Sequence, residues 1–280
     1  MQNRKNIKLV ATDLDGTFLR DDLTISNENL ESLHLLGEKG ILRVAATGRN
    51  LKKTRDVIPM NIPFDFIVFS SGAGIYDWQN NKLVFYQNLP QKIVKQLIDF
   101  LIEEQQSFHL FKPVPDNHCS WYYRGNQTNP EFEQYFGFQN SASEEITKNS
   151  EIISDACQFL IILPDDITRF EKLKTRICEQ FPDVKIVRTT SPLNTGYIWM
   201  ELFHQDVSKG NGVQFLCTMN NIAATQTLGI GNDYNDIDLL GFTEYSYLVE
   251  NSPAEMKKLF ATTMSNQDHA FAHTILEHLR

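Results

Sequence analysis

Short apolar runs alternate along the chain with stretches whose apolar residues recur every three or four positions. Ile7-Lys8-Leu9-Val10-Ala11 and Ile41-Leu42-Arg43-Val44-Ala45-Ala46 are apolar on both alternating faces, as strands buried on both sides of a parallel sheet are. Asp65 to Ser70 forms a third such run. Between the first two, Ser26 is placed to cap a helix carrying Leu30, Leu33 and Leu36 on one stripe and ending near Gly40. A further helix follows the second run and is stopped by Pro59. Phe18 to Thr24 reads as a hairpin flap over the first strand tip. Strand, helix, strand, helix, strand predicts a doubly wound, Rossmann-like parallel α/β sheet.

The rhythm changes after residue 75. Ile75 to Trp78, a turn at Gln79-Asn80-Asn81 and Leu83 to Tyr86 read as a hairpin, and Pro90 opens a helix bearing Ile93, Leu97, Phe100 and Leu101. Strands at Phe108–Phe111, Ser120–Tyr123, Phe159–Leu163 and Val184–Val187 then mix with helices. The clearest helix starts near Asp166 and carries Ile167, Phe170, Leu173 and Ile177. This stretch is expected to be an inserted α/β domain at residues 86–189, with the core at 1–85 and 190–280. The core rhythm is expected to return at Tyr197 to Leu202. A helix after Lys209, a strand at Gln226–Ile230, a helix from Asn235, a strand at Tyr245–Val249 and terminal helices should follow.

Composition changes this picture little. With 280 residues, 41% hydrophobic and 22% charged, the chain can bury a sizeable core. A net charge of −9 argues against a nucleic-acid or anionic-membrane partner, each of which favours a basic face. No apolar run reaches the length of a membrane span and no signal core precedes the first strand, so a soluble, cytoplasmic protein is expected. Cys119, Cys157, Cys178 and Cys217 have no paired spacing and read as reduced core residues.

Candidate chemistry gathers where the predicted strands end, which is where doubly wound sheets bind ligands. The clusters are Asp13-Leu14-Asp15-Gly16-Thr17, Thr47-Gly48-Arg49, Lys209-Gly210, and Gly231-Asn232-Asp233-Tyr234-Asn235-Asp236. Strand periodicity would point Asp13 and Asp15 the same way, and two like charges side by side call for a cation or a division of labour. Each cluster also has a plain reading as an Asp-Gly turn, a loop, a solvated lysine or a helix cap.

DLDGT, ATGR, VSKG and GNDYND in this order resemble the haloacid dehalogenase (HAD) superfamily. The insertion after the third strand resembles its Cof-type subfamily, whose α/β cap covers the active site. The resemblance implies a Mg²⁺-dependent phosphatase acting on a small phosphorylated metabolite, with a sugar phosphate the first expectation. Asp13 would be the nucleophile and Asp15 the acid and base, while Thr47 and Lys209 would bind phosphoryl oxygens. Gly48, Arg49 and Asn235 would lie against the substrate, and Arg49 could equally be a structural ion-pair partner. The implied Mg²⁺ site comprises Asp13, Asp15 through its backbone carbonyl, Asn232, Asp233 and Asp236, the last also orienting Lys209. Two positions depart from the family pattern. Asn232 stands where a metal-binding Asp is expected, and Ser71 where relatives often carry Asn. A phosphomutase of the same cap class is one alternative, and a phosphometabolite-binding regulator without turnover is another.

Overall fold

The computed structural model describes residues 6–139, 143–147, 150, 152, 154–193 and 196–279. Two units emerge, one running to Phe85 and resuming at Ser208, the other spanning Tyr86–Val207. In chain order the first pass is β1 (Leu9–Thr12), α1 (Asn27–Glu38), β2 (Leu42–Ala46), α2 (Leu51–Val57), β3 (Phe66–Phe69), β4 (Gly74–Asp77) and β5 (Lys82–Tyr86). The second unit holds α3 (Gln91–Glu103), β6 (Phe108–Phe111), β7 (Ser120–Tyr123), α4 (Pro130–Gln139), β8 (Ser143–Glu145), β9 (Gln158–Pro164), α5 (Ile167–Gln180), β10 (Val184–Thr190) and β11 (Tyr197–His204). The first unit then closes with α6 (Lys209–Met219), β12 (Thr227–Gly231), α7 (Ile237–Phe242), β13 (Tyr245–Leu248), β14 (Ala261–Thr262) and α8 (Ala270–Leu279).

The first unit is a doubly wound sheet in the order β14-β13-β12-β1-β2-β3-β4-β5. Its strands from β14 to β3 are parallel, and β4 returns antiparallel to β3. Strand order reverses between β1 and β12, so the switch point lies where both of those strands end. Leu9, Ala11, Val44 and Val68 share a buried cluster with Val213 and Leu216 of α6 and Leu239 of α7. Another cluster is aromatic: Phe18 meets Phe64 and Phe271 edge to face at 5.2 and 5.1 Å.

The second unit carries a mostly antiparallel sheet, β10-β11-β9-β6-β7-β8. Leu97 and Leu101 of α3 and Phe170 and Ile177 of α5 pack with Phe108, Leu110, Phe159, Ile161 and Met200. His109, in the same strand as Phe108 and Leu110, is fully buried and stacks 4.6 Å from Phe132 of α4. Trp121 and Tyr123 pack against the α3–α5 core, as an aromatic strand should. Arg124 lies over Tyr122 and Phe136 and pairs with Glu133 at 2.8 Å.

Several expectations are corrected. Tyr197–His204 is not a core strand: it pairs antiparallel with β9 and β10, and the chain returns to the first unit at Ser208, not at residue 190. Its two faces are both buried, so it mimics a parallel core strand in sequence. The segment after Phe18 closes as a tight hairpin turn without strands on either side, the Leu23 amide donating to the Arg20 carbonyl at 2.9 Å and the Arg20 amide to the Thr24 carbonyl at 3.0 Å. Cys178 is exposed on α5. The helix α4, which went unpredicted, is capped by the Asn129 side chain accepting from the Phe132 amide. Among the described residues no helix is long and apolar enough to cross a membrane.

Candidate active site

β1 stops at Thr12, but Asp13 is still held to the sheet by its amide, which donates to the Ile230 carbonyl at 2.9 Å. The chain then winds through Leu14–Phe18, closed by the Leu19 amide on the Leu14 carbonyl at 2.8 Å. Asp15 (φ −74°, ψ 122°) and Gly16 (φ 70°, ψ 9°) take the two central positions of a type II turn, which is why a glycine follows the second aspartate. This turn overrides strand periodicity. Asp13 is buried at 5% exposure, whereas the Asp15 side chain is 44% exposed, so the two carboxylates occupy different environments.

Lys209 is the first residue of α6, set there by Ser208, whose hydroxyl accepts from the Asn211 amide at 3.0 Å. Its ammonium donates at 2.6 Å to Asp13 Oδ1 and at 2.6 Å to Asp236 Oδ1, with no side-chain exposure of its own. Asn235 Oδ1 lies farther off, at 3.4 Å. The second oxygen of Asp236 accepts from the amides of Asn232 and Asp233 at 2.9 and 3.1 Å. A buried chain of carboxylate, ammonium and carboxylate therefore ties the end of β1 to the loop after β12.

Thr47 is fully buried at the end of β2, and its hydroxyl accepts from the Arg49 amide at 3.1 Å. Arg49 grips Asp15 through two bonds, Nε to Oδ2 at 2.7 Å and Nη2 to Oδ1 at 2.6 Å. Gly48 is flanked by Asn235 and Ser71, whose polar side-chain atoms would lie 3.6 and 3.7 Å from a Cβ there. Ser70, Ser71 and Gly72 have φ of 48°, 54° and 108°, three left-handed residues in succession at the end of β3. Such backbone is strained for serine and needs a reason. The turn brings Gly72 so close to the cap of α6 that a Cβ would sit 2.2 Å from the Ser208 carbonyl oxygen. Among the described residues the Ser71 hydroxyl, buried there, meets no hydrogen-bond partner.

Electrostatics follow from this packing. Burial pushes the Asp13 carboxyl up to about 7, with Asp236 and Asp15 adding to the rise and Lys209 opposing it. Burial works to lower the Lys209 pKa, but Asp13 and Asp236 outweigh it and leave it raised. The pair is thus a fixed ammonium within an excess of negative charge.

That excess bears on the expected metal site. Among the described residues no three His, Cys, Asp or Glu side chains converge as a metal cage. Asp236 has both oxygens engaged, by Lys209 and by the amides of Asn232 and Asp233, which suits the orienting role expected of it and leaves neither oxygen free for a metal; the Asp15 carboxylate faces Arg49, leaving its main-chain carbonyl as the expected ligand. The oxygen donors of the kind a hard cation takes that would hold it here are the Asp13 carboxylate, the Asp15 main-chain carbonyl and the side-chain oxygen of Asn232. Asn232 stands against the turn, its amide nitrogen 2.5 Å from where a Gly16 Cβ would lie.

Residues absent from the sequence reading complete the site. Asn29, Asn251 and Asn266 donate side-chain amides to the carbonyls of Phe18, Gly16 and Leu19 at 2.9, 2.8 and 3.1 Å. Nothing in an isolated Asn marks such a role, because the partner is 235 residues away for Asn251 and 247 for Asn266.

Comparison with known proteins places this geometry. The sequence profile described as haloacid dehalogenase-like hydrolase matches residues 10–275. YxeH of Bacillus subtilis (strain 168), which carries a provisional phosphatase name, is 24% identical over 274 residues, spanning 96% of this chain and 97% of its own length. BT1666 from Bacteroides thetaiotaomicron, among phosphatases of the haloalkanoate enzyme superfamily, superposes with a TM-score of 0.79 at 16% identity, covering 99% of this chain and 97% of its own. The HAD subclass IIB sugar phosphatase BT4131 gives a TM-score of 0.74 at 16% identity, covering 96% and 98%. These structural likenesses establish a shared fold.

Proposed function

Because the chain belongs to the haloacid dehalogenase-like hydrolase family, we propose that it is a Mg²⁺-dependent phosphatase of small phosphorylated metabolites, sugar phosphates foremost, working through an aspartyl phosphate on Asp13. The observation that carries this reading is the buried Asp13–Lys209–Asp236 chain at the carboxyl end of β1, beside the turn that presents Asp15.

In the first step an Asp13 oxygen attacks phosphorus and the ester P–O bond breaks. Its electron pair leaves with the alcohol oxygen, and Asp15 supplies that oxygen with a proton. In the second step water attacks the phosphorus of the acyl phosphate, Asp15 takes the proton, and the Asp13 oxygen leaves as carboxylate with inorganic phosphate. Arg49 fixes the direction in which Asp15 faces. Lys209 and the Thr47 hydroxyl stabilise charge on the phosphoryl oxygens, and Asp236 holds Lys209 against the nucleophile. The Asp13 carboxylate, the Asp15 carbonyl and Asn232 would hold Mg²⁺, whose charge offsets the repulsion between carboxylate and phosphate.

The test is release of inorganic phosphate from p-nitrophenyl phosphate by purified protein. Release should require Mg²⁺, stop with EDTA, and be lost in Asp13→Asn. Full activity in that variant refutes the covalent mechanism.

A further inference from the structure

The turn that carries Asp15 is fastened from behind. Gly16 is gripped on two sides, by Asn232 and by Asn251, whose amide nitrogens would lie 2.5 and 3.5 Å from a Cβ at that position. Asn251 Nδ2 also donates to the Gly16 carbonyl at 2.8 Å, while Asn251 Oδ1 accepts the Asn266 amide at 3.1 Å. Asn266 is buried, and its own side chain reaches the Leu19 carbonyl at 3.1 Å and Asp21 Oδ1 at 2.9 Å. A relay thus runs from the residues just before α8, through Asn251, to the Gly16–Thr17 peptide that closes the turn carrying Asp15.

A type II turn requires both central residues, here Asp15 and Gly16, to hold their dihedrals together. Holding the Gly16 carbonyl anchors the far arm of that turn and so restrains the Asp15 backbone from which its side chain projects. The relay needs one donor and one acceptor on a single short side chain, which Asn provides; Ala provides neither and Asp lacks the donor.

Resting on the phosphatase reading above, we infer that Asn251, backed by Asn266, is a positioning residue that aims Asp15 at the leaving-group oxygen. A misaimed acid hurts most where the leaving group most needs a proton. Phenyl phosphate is such a substrate. With p-nitrophenyl phosphate the departing phenolate is stabilised without one. Loss of a merely structural contact lowers both alike.

The experiment compares kcat/KM, which reports through the first phosphoryl transfer, for these two substrates in the parent, Asn251→Ala and Asp15→Asn, with thermal melts confirming folded protein. We expect Asn251→Ala to depress phenyl phosphate turnover about tenfold more than p-nitrophenyl phosphate turnover. Asp15→Asn should give a larger split in the same direction. If Asn251→Ala does not fold, Asn251→Asp removes the donor while keeping the shape and the acceptor, and the same split is expected. A split in Asp15→Asn with an even loss, or none, in the Asn251 variants overturns the inference and leaves the phosphatase reading standing. No split in Asp15→Asn overturns its role as acid, and the inference with it.

Discussion

Replacing Asp236 with alanine removes the residue on which the charge chain and the β12 loop both depend. Three bonds are lost: one from the buried Lys209 ammonium at 2.6 Å, and two from the amides of Asn232 and Asp233 at 2.9 and 3.1 Å. Removing one partner of a buried ion pair costs about 3–5 kcal/mol, because the remaining charge is left uncompensated. Lys209 retains Asp13 at 2.6 Å, which favours the lower half of that range. The two amides are only half-buried and recover water, so together they add about 1–2 kcal/mol. The expected destabilisation is then about 4–6 kcal/mol. Urea denaturation at pH 7 measures it, read on the transition that carries the Phe18, Phe64 and Phe271 cluster, since the two units need not unfold together. Asp236→Asn keeps one acceptor oxygen and should lose roughly half as much. A shift below about 1 kcal/mol for Asp236→Ala, at unchanged denaturant slope, would show that Lys209 does not depend on this carboxylate and would sink the account of the chain.

Two further outcomes follow from the same geometry. Asp13 is raised from the ordinary 3.8 to about 7, so between those values the folded protein keeps a proton that the unfolded chain has released, and stability must fall as pH rises through that window. At 1.36 kcal/mol per pH unit the loss reaches at most about 4 kcal/mol. Melts from pH 4 to 8 in EDTA should show it relative to Asp13→Asn, with Mg²⁺ reversing it; a parent that tracks the variant across the window contradicts the assignment. Asn232→Asp adds a negative charge beside the turn and should tighten Mg²⁺ about tenfold in a titration of phosphate release, whereas an unchanged Mg²⁺ requirement counts against Asn232 as a ligand.

What was legible in the sequence was local. Mostly apolar runs marked β1, β2 and β3, and the switch to Asp, Thr and Ser at their ends marked the site. β11 misled because burial on both faces is shared by central strands of either sheet type, and only its partners, β9 and β10, tell them apart. α4 did carry a signal, Asn129-Pro130-Glu131, a cap followed by a proline in the first turn. The division of the carboxylates was legible only through the family resemblance, which put Asp236 beside Lys209 and offered Arg49 as an ion-pair residue without naming its partner. That Asp15 faces Arg49 and Asp236 faces Lys209 depends on side chains brought from 34 and 27 residues away. Spacing shows which acids are near a strand end, and packing decides which oxygen each cation takes.

The charge balance of the site ties its departures from pattern to its chemistry. Asp13, Asp15 and Asp236 face Lys209 and Arg49, three formal negative charges against two positive. A phosphate monoester dianion entering this site meets a net negative field, and each unit like-charge contact near 4 Å costs about 4 kcal/mol at an effective dielectric of 20. A divalent cation at Asp13, as proposed, would turn the balance to a single positive charge and make entry favourable. An aspartate at position 232 would cancel that gain and return the loaded site to neutrality, while holding the cation more tightly. On the proposed metal site, Asn232 would exchange cation affinity for attraction of an anionic substrate. Asn232→Asp should accordingly raise KM for a phosphate monoester at saturating Mg²⁺ while lowering the Mg²⁺ needed for half-maximal rate. Movement of both quantities in the same direction would separate Asn232 from the cation altogether.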